Sequence, residues 1–430
     1  MRNRPAPDRI SREVRRLIAG NTLSALGTGF TLPFLLIYLK DARGLDVGTA
    51  GDAIATLGVA GLLTVPFMGS LSDRVGPWRV LVGALLVEGL GTALFAFVTK
   101  PWHAFATLAL LGAGQAATWP SQSALIARLV PPERRARVFA VQFALLNLGI
   151  GIGGAVSGLV VDEARVGTFQ AIYLVDALSF VAYSLILLTL RHAALRPSPH
   201  DAAAAAEAGP DAATGYGALL RDRVFLRVCF VTLLLSVAGY GQMYAGFPGF
   251  ATDAAGVSTR VLGLAFAANT VVIVVAQLSV ERRLQGHRRT RALAGVAVLW
   301  ALSWLVIGSA ALGSGTLAAA GVVVGLATFG LGETLWAPTG STLVNEIAPP
   351  HLRGRYNAVS SVTWQLSAVI GPLVAGRLLE ARLYPQFIAG LVVVLGIVAV
   401  LALRLERHLT PAANNARPLT PLPEEVLPVL

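Results

Sequence analysis

Three carboxylic acids lie deep inside long apolar runs of this 430-residue chain: Glu88, Asp176 and Glu333. A charged acid at mid-membrane costs roughly 2.5–3.5 kcal/mol on insertion scales, so such groups persist mainly for function. Low-polarity surroundings favour the neutral form of a carboxyl, the property a proton carrier needs. Glu333 sits in GLGETLWAPTGS, residues 330–341, near Trp336. It is read as the group that binds a coupling proton or a cationic substrate in alternation. A protonated carboxyl in a fixed interhelical hydrogen bond is the competing account. Glu88 and Asp176 are lesser candidates, for which a structural bond is the expected role. Other chemistry has little to work with. There is no HExxH or CxxC pair, the six histidines sit near the ends of apolar runs or in loops, and Cys229 is the only cysteine. No intramolecular disulfide, metal site, cofactor or catalytic residue is expected.

The elements that position these acids follow from hydropathy. The chain is 55% hydrophobic and only 13% charged, about half the charge of a soluble domain. Twelve apolar runs are each long enough to span about 30 Å of hydrocarbon: 17–39, 51–70, 80–98, 104–129, 138–161, 169–190, 224–246, 259–279, 292–312, 317–347, 357–379 and 385–405. Pro120 and Pro338 are the expected kink points of the two longest. The expected fold is an all-α polytopic membrane protein in which 17–190 and 224–405 form two six-helix bundles. A basic N-terminus (1–16), an Ala-, Pro- and Asp-rich linker (191–223) and a Pro-rich, unstructured tail (406–430) complete the chain.

A net charge of +11 would suggest nucleic acid on a soluble protein. Its distribution argues otherwise. With the N-terminus in the cytoplasm and loops alternating, the cytoplasmic side holds 27 of the 34 Lys and Arg residues. That asymmetry places both termini in the cytoplasm and the chain in the inner membrane, with the bilayer rather than nucleic acid as its partner. Arg15 and Arg16 precede an apolar run too long for a signal-peptide core.

The chain also repeats itself. Shifted by 218 residues, GAGQAATWPSQSALIARLVPPERRARVFAV (112–141) lies over GLGETLWAPTGSTLVNEIAPPHLRGRYNAV (330–359), and roughly a third of 47 positions agree without gaps. The fourth and fifth helices therefore recur as the tenth and eleventh, giving two halves in parallel topology. The repeat sets neutral Gln115 against Glu333.

At GSLSDRVGPWRVL, 69–81, the chain resembles the major facilitator superfamily of transporters, and in particular its drug:proton antiporter branch. Gly69, Leu71, Asp73, Arg74, Gly76 and Leu81 match that family's loop between the second and third helices; Pro77 and Trp78 replace basic residues, with Arg79 following. The resemblance implies a conformational latch, with Asp73 facing the start of the eleventh helix near Asn357, and Arg74, Arg79, Arg135, Arg137, Arg353 and Arg355 steadying the same face. It covers nearly the whole chain. The antiporter pattern of the fifth helix is partly kept in Gly149, Gly153 and Gly158, and the eleventh keeps Gly371, Pro372 and Gly376. Small residues of this kind also serve helix packing. Ala109 stands where proton-linked members often carry an arginine, so the usual charge relay is missing.

Polar stripes at steps of three and four mark faces turned away from lipid. The stripes comprise Asn21, Ser24, Thr28, Thr31 and Tyr38; Gln115, Trp119 and Gln122; Ser236, Tyr240 and Met243; Asn269 and Gln277; Glu333 and Trp336; and Ser361, Trp364 and Gln365. They are expected to line a central substrate cavity that is aromatic, weakly polar and without fixed cations. Neutral or cationic amphiphiles fit it better than organic anions. The expected function is export of small drug-like compounds in exchange for protons, by a monomer working through alternating access. An uptake symporter or uniporter of the same fold is the alternative, and a receptor or scaffold without transport is a third.

Overall fold

The computed structural model describes residues 11–194, 219–284, 287–349, 353–411 and 413–414. Twelve long helices carry the architecture: α1 (Arg12–Thr31), α2 (Val47–Val75), α3 (Pro77–Phe95), α4 (Pro101–Leu129), α5 (Pro132–Val160), α6 (Val166–Leu188), α7 (Arg223–Ala238), α8 (Thr259–Leu284), α9 (Arg289–Ala310), α10 (Thr316–Ile347), α11 (Arg353–Glu380) and α12 (Tyr384–Leu405). Among the described residues, eleven of these are long and apolar enough to cross a membrane; α4, rich in inward polar groups, is the twelfth. Local chemistry starts many of them. Ser11, Asp46 and Asp222 cap α1, α2 and α7 by accepting backbone N–H bonds. Prolines open α3, α4 and α5, where a missing N–H costs nothing. Pro120 and Pro338 lie inside continuous helices.

Packing repeats with the sequence. In the first half α1 packs on α5 and α6, α2 on α4, and α3 on α4 and α6. Adding six to each number gives the second half: α7 on α11 and α12, α8 on α10, α9 on α10 and α12. Two seams join the halves, α2 with α11 and α5 with α8. Glycine lets the backbones meet there: Gly158 faces Gly263, and a methyl at Gly51 would fall 2.9 Å from the Gly376 Cα. Both seams run through the part of the molecule remote from the linker. Nearer the linker, Trp119 and Trp364 are 50% and 44% exposed.

Two helices depart from the expected continuity. Beyond Thr31, α1 passes through a 3₁₀ turn at Leu32–Phe34, a turn of α-helix and a π-turn at Tyr38–Ala42. The run expected at 224–246 breaks at Gly239, where the chain packs on the Trp300 ring, and resumes as a 3₁₀ turn, a helical turn and a π-turn at Phe250–Ala254. Part of the tail expected to be unstructured, 406–411 and 413–414, is described, and Asn414 makes a defined contact. Its side-chain Oδ1 accepts from the Thr290 N–H at 3.0 Å and its Nδ2 donates to Thr290 Oγ1 at 3.1 Å, so the tail caps the start of α9. The expectations for residues 1–10, for 195–218 of the linker and for 415–430 lie outside the described residues.

Candidate functional site

In the second half, Gly330 on α10 lets the α8 backbone approach, with a methyl there only 2.8 Å from the Asn269 carbonyl oxygen. That closeness aims the Asn269 side chain at α10. Its Nδ2 donates to Glu333 Oε2 at 2.7 Å, and Glu333 is only 9% exposed. Tyr240, just past the break in α7, stands beside the carboxyl. Its ring is 4.8 Å from that of Trp364 and 5.3 Å, edge-on, from that of Trp300, which stacks on Phe329 at 4.4 Å. α8 and α10 thus hold one carboxyl beside an aromatic cluster whose open member is Trp364. Such a group can hold a proton, or give it up when a cation arrives to pair with it.

The first half buries its acids differently. Thr31 Oγ1 donates to Asp176 Oδ2 at 2.8 Å. Asp176 also lines a small cavity of about 30 Å³ with Thr28, Thr31, Gln115 and, from the second half, Tyr244. That volume suits a single water-sized guest. Asp176, for which a structural bond was expected, thus also borders a cavity that Tyr244 of the second half reaches. Glu88 on α3 accepts from the Thr118 hydroxyl of α4. Asn21 donates to Gln122 Oε1 at 3.3 Å and Tyr183 to the same atom at 3.1 Å, tying α1, α4 and α6 together.

At the end remote from the linker, Lys40 and Asp253 form an ion pair between the halves. They come from the two π-turns that end the first and seventh spans. Arg377 Nη2 of α11 pairs with Asp52 Oδ2 of α2 at 2.5 Å. Neither pair was among the expected site residues. The available signal was the presence of Lys40, Asp41 and Asp253 at the ends of two helices that the repeat makes equivalent.

The profile of the Major Facilitator Superfamily matches residues 17–372 and 302–428. The chain belongs to this superfamily. It is a multi-pass membrane transporter of small molecules and not an enzyme. An uncharacterised MFS-type transporter of Bacillus subtilis, YqjV, is 25% identical over 84% of both chains. The multidrug resistance protein MdtH of Aeromonas hydrophila is 25% identical over 84% of this chain and 86% of its own. A Na⁺, Li⁺, K⁺/H⁺ antiporter of Planococcus maritimus is 23% identical over 84% of this chain and 88% of its own. Among solved structures, a D-xylose–proton symporter superposes with a TM-score of 0.72 at 14% identity over 94% of this chain and 99% of that one.

Within this superfamily fold the remaining residues sort by depth. Thr28, Thr31 and Gln115 reach the small cavity, Asn269 and Tyr240 stand at Glu333, and Trp364 packs on the Tyr240 ring. Ser24, Ser236 and Met243 are buried in the packing, and the Trp336 ring covers Gly340. Gln277 is half-buried, Ser361 is exposed, and Gln365 meets Gly61 across the α2–α11 seam. Tyr38 is a correction. It is fully buried against Phe95, Phe169 and Tyr173, donates to the Ala96 carbonyl at 2.7 Å and accepts from Arg43 Nε at 2.8 Å. The 3₁₀ turn at Pro33 shifts the helical phase, so the stripe counted from Asn21 no longer reaches it.

Of the latch residues, Gly69 lies within α2 and Arg74 is exposed in its last turn. Gly76 takes φ +88° between α2 and α3, a conformation costly for any residue with a Cβ. Arg79 donates to the Val75 carbonyl at 2.8 Å. Arg135 donates to the carbonyls of Ala127 and Val130 at 2.6 and 3.0 Å, closing the end of α4. The side chains of Asp73, Arg137, Arg353 and Arg355 lie outside the described residues. Gly149 and Gly153 face the α1 backbone, Gly371 faces Gly241, and Pro372 and Gly376 face Gly51.

Proposed function

We propose that this transporter exports small amphiphilic compounds, neutral or cationic, in exchange for protons, by alternating access of a site between its halves. Glu333 holds the coupling proton and the cationic group in turn. The observation that carries this reading is the buried carboxyl, bonded by Asn269 and set beside Tyr240, at the edge of an aromatic cluster open at Trp364. Aromatic faces attract organic cations, and one buried carboxyl cannot serve proton and cation together. The resemblance to multidrug resistance proteins supports the substrate class. The basic loops support an inner-membrane orientation with both termini cytoplasmic. In that orientation the seams close the outer side, and the exposed tryptophans face the cytoplasm, where an exporter loads. The polar stripes line this path, the arginines around Gly76 latch the cytoplasmic face when it closes, and one chain suffices.

Purified protein in liposomes with an internal pH dye tests this. A panel of lipophilic cations and neutral amphiphiles is expected to drive proton flux that Glu333→Gln abolishes. Flux unchanged in the variant assigns Glu333 a structural bond instead. A second reading, exchange of alkali cations for protons, is favoured by the water-sized cavity where Asp176 meets Thr28, Thr31 and Gln115 and by the likeness to a Na⁺, Li⁺, K⁺/H⁺ antiporter. Under it, flux follows added Na⁺, Li⁺ or K⁺ and is lost in Asp176→Asn rather than Glu333→Gln.

A further inference from the structure

A groove of about 390 Å³ runs between the start of α7 and the end of α12, on the linker side of the molecule. Helical spacing builds it. Leu401, Arg404 and His408 follow steps of three and four, and Arg227 and Phe230 are three apart on the facing helix. The result is an apolar trough with two guanidinium groups and an imidazole at its basic end. All three of those groups are exposed.

Among the described residues, no carboxylate pairs with Arg227 or Arg404. The nearby acids are already engaged. Glu406 takes Arg288 and Arg291, while Asp222 caps α7 and accepts from the Tyr356 hydroxyl at 2.8 Å. A single arginine at a membrane edge simply reaches for water. Two from different helices, converging on one crevice with a histidine, repel one another unless an anion lies between them. The wall beneath is apolar, with Phe230 54% exposed and Leu226 37% exposed. A ligand filling both parts must carry an anionic head and a hydrocarbon chain.

We infer that this groove binds an anionic phospholipid, with its phosphate held by Arg227, Arg404 and His408 and an acyl chain lying on Phe230, Leu226 and Leu401. The site lies on the outer surface of the second half and is independent of the substrate and coupling ion proposed above.

Native mass spectrometry of the full chain, in micelles holding equal amounts of phosphatidylglycerol and phosphatidylcholine, tests it. Wild type is expected to retain one phosphatidylglycerol in clear preference. The Arg227→Gln/Arg404→Gln variant is expected to lose that preference by roughly thirtyfold, the loss that two basic contacts provide. Arg16→Gln/Arg191→Gln, which removes the same charge from the corresponding helix ends of the first half, is expected to keep it. Equal retention of the two lipids by wild type overturns the inference without reference to any variant. So does an equal loss in the control variant, which makes the effect general electrostatics. Inorganic phosphate alone raising the melting temperature as much as phosphatidylglycerol overturns the lipid as occupant.

Discussion

Glu333 and Gln115 are equivalent in the repeat, and each half sets a carboxyl near an amide at this level. In the second half the acid is on α10 and the amide, Asn269, on α8. In the first, the amide Gln115 is on α4 and the acid, Asp176, on α6, both facing one small cavity. The exchange leaves one acid beside the aromatic cluster and the other in a space fit for water, which is why the two readings of function separate at single residues. Tyr38 and Trp364 test the same division between structure and site. Tyr38→Phe removes a hydrogen-bonded hydroxyl from a sealed aromatic knot. It is expected to lower stability by about 1 kcal/mol, seen in thermal unfolding, and to leave KM unchanged. Trp364→Ala removes the exposed ring at Tyr240 and is expected to raise KM for a cationic substrate by about three- to tenfold, with little loss of stability. The opposite pattern would move the cavity to the first half.

At the level of elements, the seams rest on small residues. A methyl at Gly158 would fall 3.0 Å from the Gly263 Cα, so Gly158→Leu pushes α5 away from α8. We expect transport in vesicles to fall more than tenfold while the protein still inserts and folds, because the substitution strikes one conformation rather than either bundle. Helix starts carry a smaller, separable load. Asp46 accepts the Thr49 N–H at 2.7 Å, and this bond to the backbone holds its carboxyl below the usual range. A depressed folded value means the stabilisation is present above the ordinary carboxylate value, near 3.9, and is lost as pH falls through the folded one. Asp46→Ala is expected to cost about 1 kcal/mol at neutral pH. The difference in melting temperature between wild type and variant should shrink in acid; a gap constant with pH would remove the cap from the account.

For the whole molecule, the two π-turns meet as Lys40 and Asp253, and Arg377 reaches Asp52 beside them. Both ion pairs span the halves at the end remote from the linker, so both must part when that end opens. Lys40→Ala is expected to shift the population toward the opened state by about fivefold, the change that about 1 kcal/mol provides. Labelling of Leu36→Cys in a Cys229→Ser background reads this directly, because Leu36 is buried at that end beside Gly249. An unchanged labelling rate would show that the pair does not gate.

The number of spans, the two halves, the repeat and the three membrane acids were all legible in the residues. Hydropathy adds up along a segment and does not depend on which neighbour the segment finds. The close partners were not legible. Tyr38 left its stripe because Pro33 changed the winding of α1, and α7 broke where Gly239 met Trp300. Asp176 borders a cavity that Tyr244 of the second half reaches, and the tail caps α9, only because of how the helices turn about their axes when packed. Lys40 finds Asp253 across 213 positions of chain. A helix pattern sets which residues share a face; the direction of that face, and what stands opposite, come from fitting twelve surfaces together at once.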